Sequence, residues 1–166
     1  MNIICAPDNF DVPNGEKTPI RIFLAGSIEM GKAEKWQDVF VKSFSDCDAD
    51  ILNPRREHFG EGITSESDDP EFKKQVEWEQ RGLLAADIIA LYFDPHTESP
   101  ISLLELGLFA HSHKIFVCCP RGFWRKGNVD IICDDNNIPR YETLEELIAA
   151  VQKRTKELLQ ERTSQK

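Results

Sequence analysis

The chain has no GxGxxG turn, no GxxxxGK[ST] loop, no GxSxG elbow and no CxxC pair. The missing glycine patterns argue against a dinucleotide fingerprint and a phosphate-cradling loop, and Gly31 does not restore the spacing. The missing elbow removes the usual sign of Ser-His-Asp hydrolysis. Basic residues are few beside acidic ones, 20 against 29, for a net charge of -9. Such a field repels nucleic acid polymers and anionic membranes, so neither is expected as a partner, whereas a nucleoside or nucleotide in a locally neutral pocket is compatible with it. No apolar run approaches the length that spans a bilayer. Met1-Asn2-Ile3-Ile4 lacks the basic segment and apolar core of a signal peptide. The five cysteines are odd in number, and Cys118-Cys119 lies in an apolar run where thiols act as small hydrophobes. A reducing, cytoplasmic location is the expectation. His111-Ser112-His113 has no third and fourth ligand, and His58 and His96 are isolated, so neither a metal nor a cofactor is expected.

What is present is one domain's worth of alternating strands and helices. At 166 residues the chain suffices for one sizeable core, a single domain over 1–166. Residues 1–19, with Pro7, Pro13, Gly15 and Pro19, read as an irregular entry segment. Apolar runs predict strands over 20–25, 50–52, 87–93, 114–119 and 128–133. Helical spacing is found over 32–44, 71–86, 100–111 and 144–159, the last opened by a Thr143–Glu146 capping box, with 160–166 a frayed tail. The polar stretch 55–69 is long for a connection and is a candidate wall or lid. This alternation predicts an α/β fold: a single three-layer domain with a five-stranded, mainly parallel sheet of flavodoxin-like/Rossmann-like architecture.

In such sheets ligands sit at the carboxyl ends of strands where the strand order reverses. That rule collects Gly26-Ser27, Asn53-Pro54-Arg55-Arg56 and the segment from Asp94 to Ser99. Gly26 permits close backbone approach, and Ser27 can donate a hydrogen bond or cap a helix. Glu105 stands out because it lies in an otherwise apolar helix, where a lone carboxylate is costly to desolvate. It is either paired, with Arg55 or Arg56 as the available partner, or it is functional. Asp87 opens the most apolar strand and Asp94 closes it; turn or backbone roles are sufficient for both. Ser99 before Pro100 fits a helix N-cap with proline in the first turn, and Glu98 precedes it. Trp36, Trp78 and Trp124 could stack on a base, although core positions are commoner.

Phe23-Leu24-Ala25-Gly26-Ser27, Ala86-Asp87-Ile88-Ile89-Ala90-Leu91 and Glu98-Ser99 leading to Leu104-Glu105-Leu106-Gly107 resemble the nucleoside 2-deoxyribosyltransferase family and its nucleotide N-glycosidase relatives, over most of residues 20–150. The resemblance implies that Glu105 is the nucleophile and that Asp87 serves base binding and proton transfer. It also places Phe23, Gly26 and Ser27 by the sugar, with Asn53, Asp94, Glu98 and Ser99 as further substrate contacts. Transferases commonly carry an aspartate where Ser99 stands, and a serine there is more like the nucleotide-cleaving relatives; Glu98 could supply the missing carboxylate. The implied activity is transfer of deoxyribose from a 2'-deoxynucleoside to a free nucleobase. The alternatives are 5'-monophosphate N-hydrolysis and a non-catalytic nucleotide-binding module. No cofactor is implied, and a homo-oligomer is.

Overall fold

The computed structural model describes residues 1–11, 19–28, 33–56 and 62–164. Its sheet has six parallel strands: β1 (Asn2–Cys5), β2 (Ile20–Gly26), β3 (Ala49–Asn53), β4 (Ile88–Tyr92), β5 (Ile115–Cys118) and β6 (Arg140–Tyr141). They lie in the order β1-β3-β2-β4-β5-β6. Among the described residues four α-helices connect β2 through β6, namely α1 (Trp36–Ser43), α2 (Pro70–Ala85), α3 (Pro100–Phe109) and α4 (Lys126–Asp135), and α5 (Leu144–Ser164) follows β6. A 3-10 turn, Ala110–Ser112, extends α3. The three-layer α/β architecture read from the sequence is thus present.

Two apolar clusters define the layers. Trp78 and Leu83 of α2, Leu106 of α3 and Val129 and Cys133 of α4 pack with Phe23, Leu91 and Val117 on one face of the sheet. Trp36 and Phe40 of α1 and Leu147, Ile148 and Val151 of α5 cover the other face. β4 is buried along its whole length, as a central strand covered on both sides must be. Its neighbours are β2 and β5, and β2 in turn pairs with β3, so the connections leaving β2 and β4 diverge at their carboxyl ends.

Several sequence expectations are corrected. The 128–133 segment is not a strand but most of α4. Val129 and Cys133, four apart, face the core while Ile131 and Ile132 face outward, which is the period of a helix. The last strand is instead β6, two residues long and held to β5 through Val117↔Arg140 and Cys118↔Tyr141. Residues 2–5 of the entry segment form the edge strand β1, in register with β3. Ala6 N–H continues that ladder to Asn53 O (3.1 Å). Helix α1 begins at Trp36, and residues 29–32, with Gly31, lie outside the described residues, as do 12–18 and 57–61 with His58. Helix α5 runs five residues past Leu159. The Thr143–Glu146 capping box is present in both directions at 3.2 Å. Asp69 caps α2 through Glu71 N–H and Phe72 N–H, ahead of Pro70.

The tightest backbone approach is at the end of β2. Gly26 (φ +131°) pairs with Tyr92, and a Cβ there would stand 2.2 Å from Tyr92 O. We predict that Gly26→Ala lowers the unfolding free energy by about 2 kcal/mol or more, because both the clash and the dihedral penalise a side chain. A shift of the urea midpoint at unchanged slope measures this.

Candidate active site

At the carboxyl ends of β2 and β4, three hydroxyls are gathered. Ser27 N–H donates to Tyr92 O (2.9 Å), and Trp36 Nε1 donates to Ser27 O (3.1 Å), so α1 and β4 together fix the serine. Asp94 N–H donates to Ser27 Oγ (2.8 Å). Thr97 Oγ1 lies 2.9 Å from Ser27 Oγ and 2.8 Å from Ser99 Oγ, and the two serine hydroxyls are also hydrogen-bonded. All three side chains are buried. Ser99 is the N-cap residue of α3 by position, but its backbone is left-handed (φ 47°) and its hydroxyl does not cap. It turns toward Ser27 instead, while its carbonyl accepts Leu103 N–H (3.1 Å).

Asp94 is buried and closes this loop. Its carboxylate accepts His96 N–H (2.9 Å) and Glu34 N–H (3.2 Å). Glu98 is exposed, and its carbonyl accepts Trp124 Nε1 (2.9 Å). Arg125 stacks on the outer face of that indole, 4.2 Å from the ring centroid. Trp36 and Trp78 are core residues, and Trp124 alone of the three tryptophans is exposed. Asn53, at the end of β3, turns its Oδ1 to Arg55 N–H (3.0 Å). Phe23 is fully buried beneath α2, where the absence of a side chain on Gly82 leaves room for its ring.

Glu105 is buried in the face of α3 that turns inward with Ser102 and Leu106. Neither arginine weighed as its partner takes that role. Arg55 donates to Glu34 O, Gln37 Oε1 and Ala33 O, and Arg56 lies 3.8 Å from Glu71. Among the described residues, no hydrogen bond or ion pair reaches the Glu105 carboxyl. Burial, with a smaller contribution from the nearby Glu79 carboxyl, pushes it up to about 8 from the usual 4.5. Burial also raises Glu79 on α2, against the hydrogen bond from Gln75 Nε2 (2.8 Å), which pulls it back. The α2 carboxyl thus adds to the burial that raises the α3 carboxyl.

Glu79 is a functional candidate that the sequence reading passed over, and its signal was legible. Gln75, Trp78, Gly82 and Leu83 are the buried positions of α2, and Glu79, four residues after Gln75, borders that stripe. Glu79 is less conspicuous than Glu105, because α2 carries several other charged side chains whereas α3 is otherwise apolar. Thr97, the third hydroxyl, has no comparable signal.

Asp87 lies apart from this group. It precedes β4, at the amino end of the sheet, whereas Ser27, Asp94 and Ser99 follow the carboxyl ends of β2 and β4. Its carboxylate accepts Arg21 N–H (2.8 Å) and Arg162 Nη2 (2.6 Å), and its own N–H donates to Arg21 O (2.9 Å). It pins the C-terminal helix to the sheet. Among the described residues no group of three potential ligands could hold a metal, and no helix is long and apolar enough to cross a membrane. A groove of about 180 Å³ lined by Phe116, Tyr141, Ala150, Lys153, Arg154 and Glu157 lies on the α5 layer, across the sheet from the carboxyl pair.

A doubly wound α/β domain with polar groups gathered where its strand order reverses is the general form of a nucleotide- or nucleoside-handling protein. Residues 19–123 match the family model described as nucleoside 2-deoxyribosyltransferase like, and the chain belongs to that family of nucleoside-related enzymes. The crystal structure of a conserved protein from Enterococcus faecalis V583 is similar in fold, with a TM-score of 0.59 at 14% identity, covering 82% of this chain and 99% of that one. No curated protein sequence matches the chain.

The raised Glu105 carboxyl has a consequence for stability. The folded protein holds this proton more tightly than the unfolded chain does, so the side chain's contribution to stability is lost as pH rises from about 4.5 to about 8. Glu105→Gln should therefore melt higher than the wild type at pH 8.5, by roughly 2–4 °C per kcal/mol recovered, and match it near pH 4. Equal melting differences at both pH values would contradict a desolvated Glu105.

Proposed function

We propose that the protein is a nucleoside 2-deoxyribosyltransferase in which Glu105 is the nucleophile. The Glu105 carboxylate attacks the anomeric carbon of a 2'-deoxynucleoside as the N-glycosidic bond breaks through an oxocarbenium-like state. The sugar is then held as an ester on Glu105, and a free nucleobase displaces it with net retention. The base leaves with a proton from an acid on the enzyme.

The observation that carries this reading is the burial of Glu105 with no hydrogen bond or ion pair on its carboxyl among the described residues. Retaining glycosyl transfer needs an ionised carboxyl to attack and an acid to protonate the leaving base, and Glu79 is the charged group that adds to burial in raising Glu105. The resemblance assigns proton transfer to Asp87. That carboxylate is engaged by Arg162 and the Arg21 N–H at the other end of β4, so we give the role to Glu79. Gly26, Ser27, Asp94, Glu98 and Ser99 remain the proposed sugar contacts, with Asn53 at the rim and Phe23 supporting from below. The apolar flank of Glu105 favours capture by a base over capture by water.

The buried hydroxyls of Ser27, Thr97 and Ser99 at the start of α3 favour one second reading, hydrolysis of a 2'-deoxynucleoside 5'-monophosphate, since hydroxyls at a helix N-terminus suit a phosphate. Incubating deoxynucleosides and their 5'-monophosphates, each with and without an acceptor base, separates the two: new nucleoside means transfer, free sugar phosphate means hydrolysis, and binding without turnover supports a non-catalytic module. Glu105→Gln should abolish turnover in a folded protein, and the wild type should show a glycosyl adduct on Glu105 by mass spectrometry. Its kcat/KM should rise toward about pH 8, as the Glu105 carboxyl ionises to become the nucleophile. Full activity of Glu105→Gln would overturn the assignment.

We also propose that the protein works as a homo-oligomer. Ile101, Leu104 and Leu108 form an exposed apolar stripe on the outer side of α3, the helix that carries Glu105. Light scattering should find an oligomer for the wild type and a folded monomer for Leu104→Glu with Leu108→Glu. A monomeric wild type at micromolar concentration would rule the stripe out as an interface.

A further inference from the structure

Gln75 is buried on α2, one turn before Glu79. Its Nε2 donates both hydrogens, one to Glu79 Oε1 (2.8 Å) and one to Pro54 O (3.0 Å) just beyond β3. Its Oε1 is buried and meets no donor among the described residues. Turning the amide over would set its oxygen against a carbonyl and a carboxylate, so the acceptors dictate the orientation. An unsatisfied buried acceptor costs free energy, and Trp78, Gly82 and Leu83 already anchor this face of α2. A residue selected for packing alone would be apolar here. Among the described residues, Gln75 is the one donor on the Glu79 carboxyl, and Glu79 is the charged group that adds to burial in raising Glu105 on α3.

We propose that Gln75 is a positioning residue, which ties the Glu79 carboxyl to the carboxyl end of β3 so that Glu79 delivers its proton to the departing base. This rests on the glycosyl-transfer reading above. The tie runs from the helix to the backbone of the sheet, the kind of support that holds an acid within the narrow geometry proton transfer needs. Removing the amide leaves Glu105 in place but frees the Glu79 side chain to swing. The defect should then appear only where the leaving group needs a proton.

The test compares two substrates and a titration. With a natural 2'-deoxynucleoside, Gln75→Met, an unbranched side chain without a donor, should lose roughly 10- to 100-fold in kcat, with KM within about threefold. With the 2-deoxyriboside of 4-nitrophenol, whose leaving group departs unprotonated, the same variant should keep its rate within about threefold. Equal losses on both substrates, or none on either, would overturn the proposal. In the wild type, the Gln75 side-chain amide signals should move with pH at the same midpoint as the Glu79 carboxyl carbon. Amide signals unmoved through that titration would also overturn it, and this measurement needs no folded variant. A wild type that cleaves neither substrate removes the glycosyl-transfer reading, and leaves the amide titration to decide whether Gln75 holds Glu79.

Discussion

The pairing of β2 with β4 is the constraint from which the rest of the site follows. Gly26 meets Tyr92 at the end of that ladder so closely that no side chain fits, and the next N–H still reaches Tyr92 O. Ser27 is thereby drawn in over β4, where its hydroxyl receives Asp94 N–H and its carbonyl receives the Trp36 indole. One backbone contact thus joins β2, β4, α1 and the loop that starts α3. The loop's left-handed Ser99 and the turn from Asp94 O to Thr97 N–H then set where α3 begins. The start of α3 fixes how deep Glu105 lies, because a rigid helix carries it there in little more than one turn.

The second constraint is electrostatic. Burial, and after it the Glu79 carboxyl, pushes Glu105 up to about 8, and burial raises Glu79 against the hydrogen bond from Gln75. That arrangement is unfavourable for folding, since a buried carboxyl loses the water that would stabilise its charge. Asp87 shows the opposite environment in the same protein. It meets a guanidinium and a backbone N–H, and what it supports is the attachment of α5. Of the acidic residues singled out in the sequence, Glu105 and Asp87 therefore differ in kind: among the described residues the first has no counter-charge, and the second is neutralised.

Much of this was legible in advance, for local reasons. Strands β2 to β5 are announced by apolar runs, and α2, α3 and α5 by helical spacing with Asp69, Pro100 and the Thr143 box at their starts. Glu105 was legible because an ionisable residue in an apolar helix is conspicuous. Segment 128–133 misled because Val129, Ile131 and Ile132 are β-branched, a composition that suits a strand, and only packing shows that Val129 and Cys133 alone face inward. Strands β1 and β6 were missed because edge strands are short, and their pairing is supplied by β3 and β5 rather than by their own pattern.

What the sequence by itself determined was the alternation of β2 to β5 with α1, α2 and α3, the final helix α5, the burial of Glu105 and the polar residues at the strand ends, since each follows from local periodicity and residue chemistry. Which carboxyl stands next to Glu105 was decided only by tertiary structure. Asp87 and Asp94 bracket one strand in sequence, yet a strand of five residues separates its ends by roughly 17 Å, so they serve opposite edges of the sheet. Glu79 is farther from Glu105 along the chain than Asp87 is, but α2 and α3 lie on the same face and bring the two together. Proximity across layers is set by packing, and no spacing within a single segment encodes it.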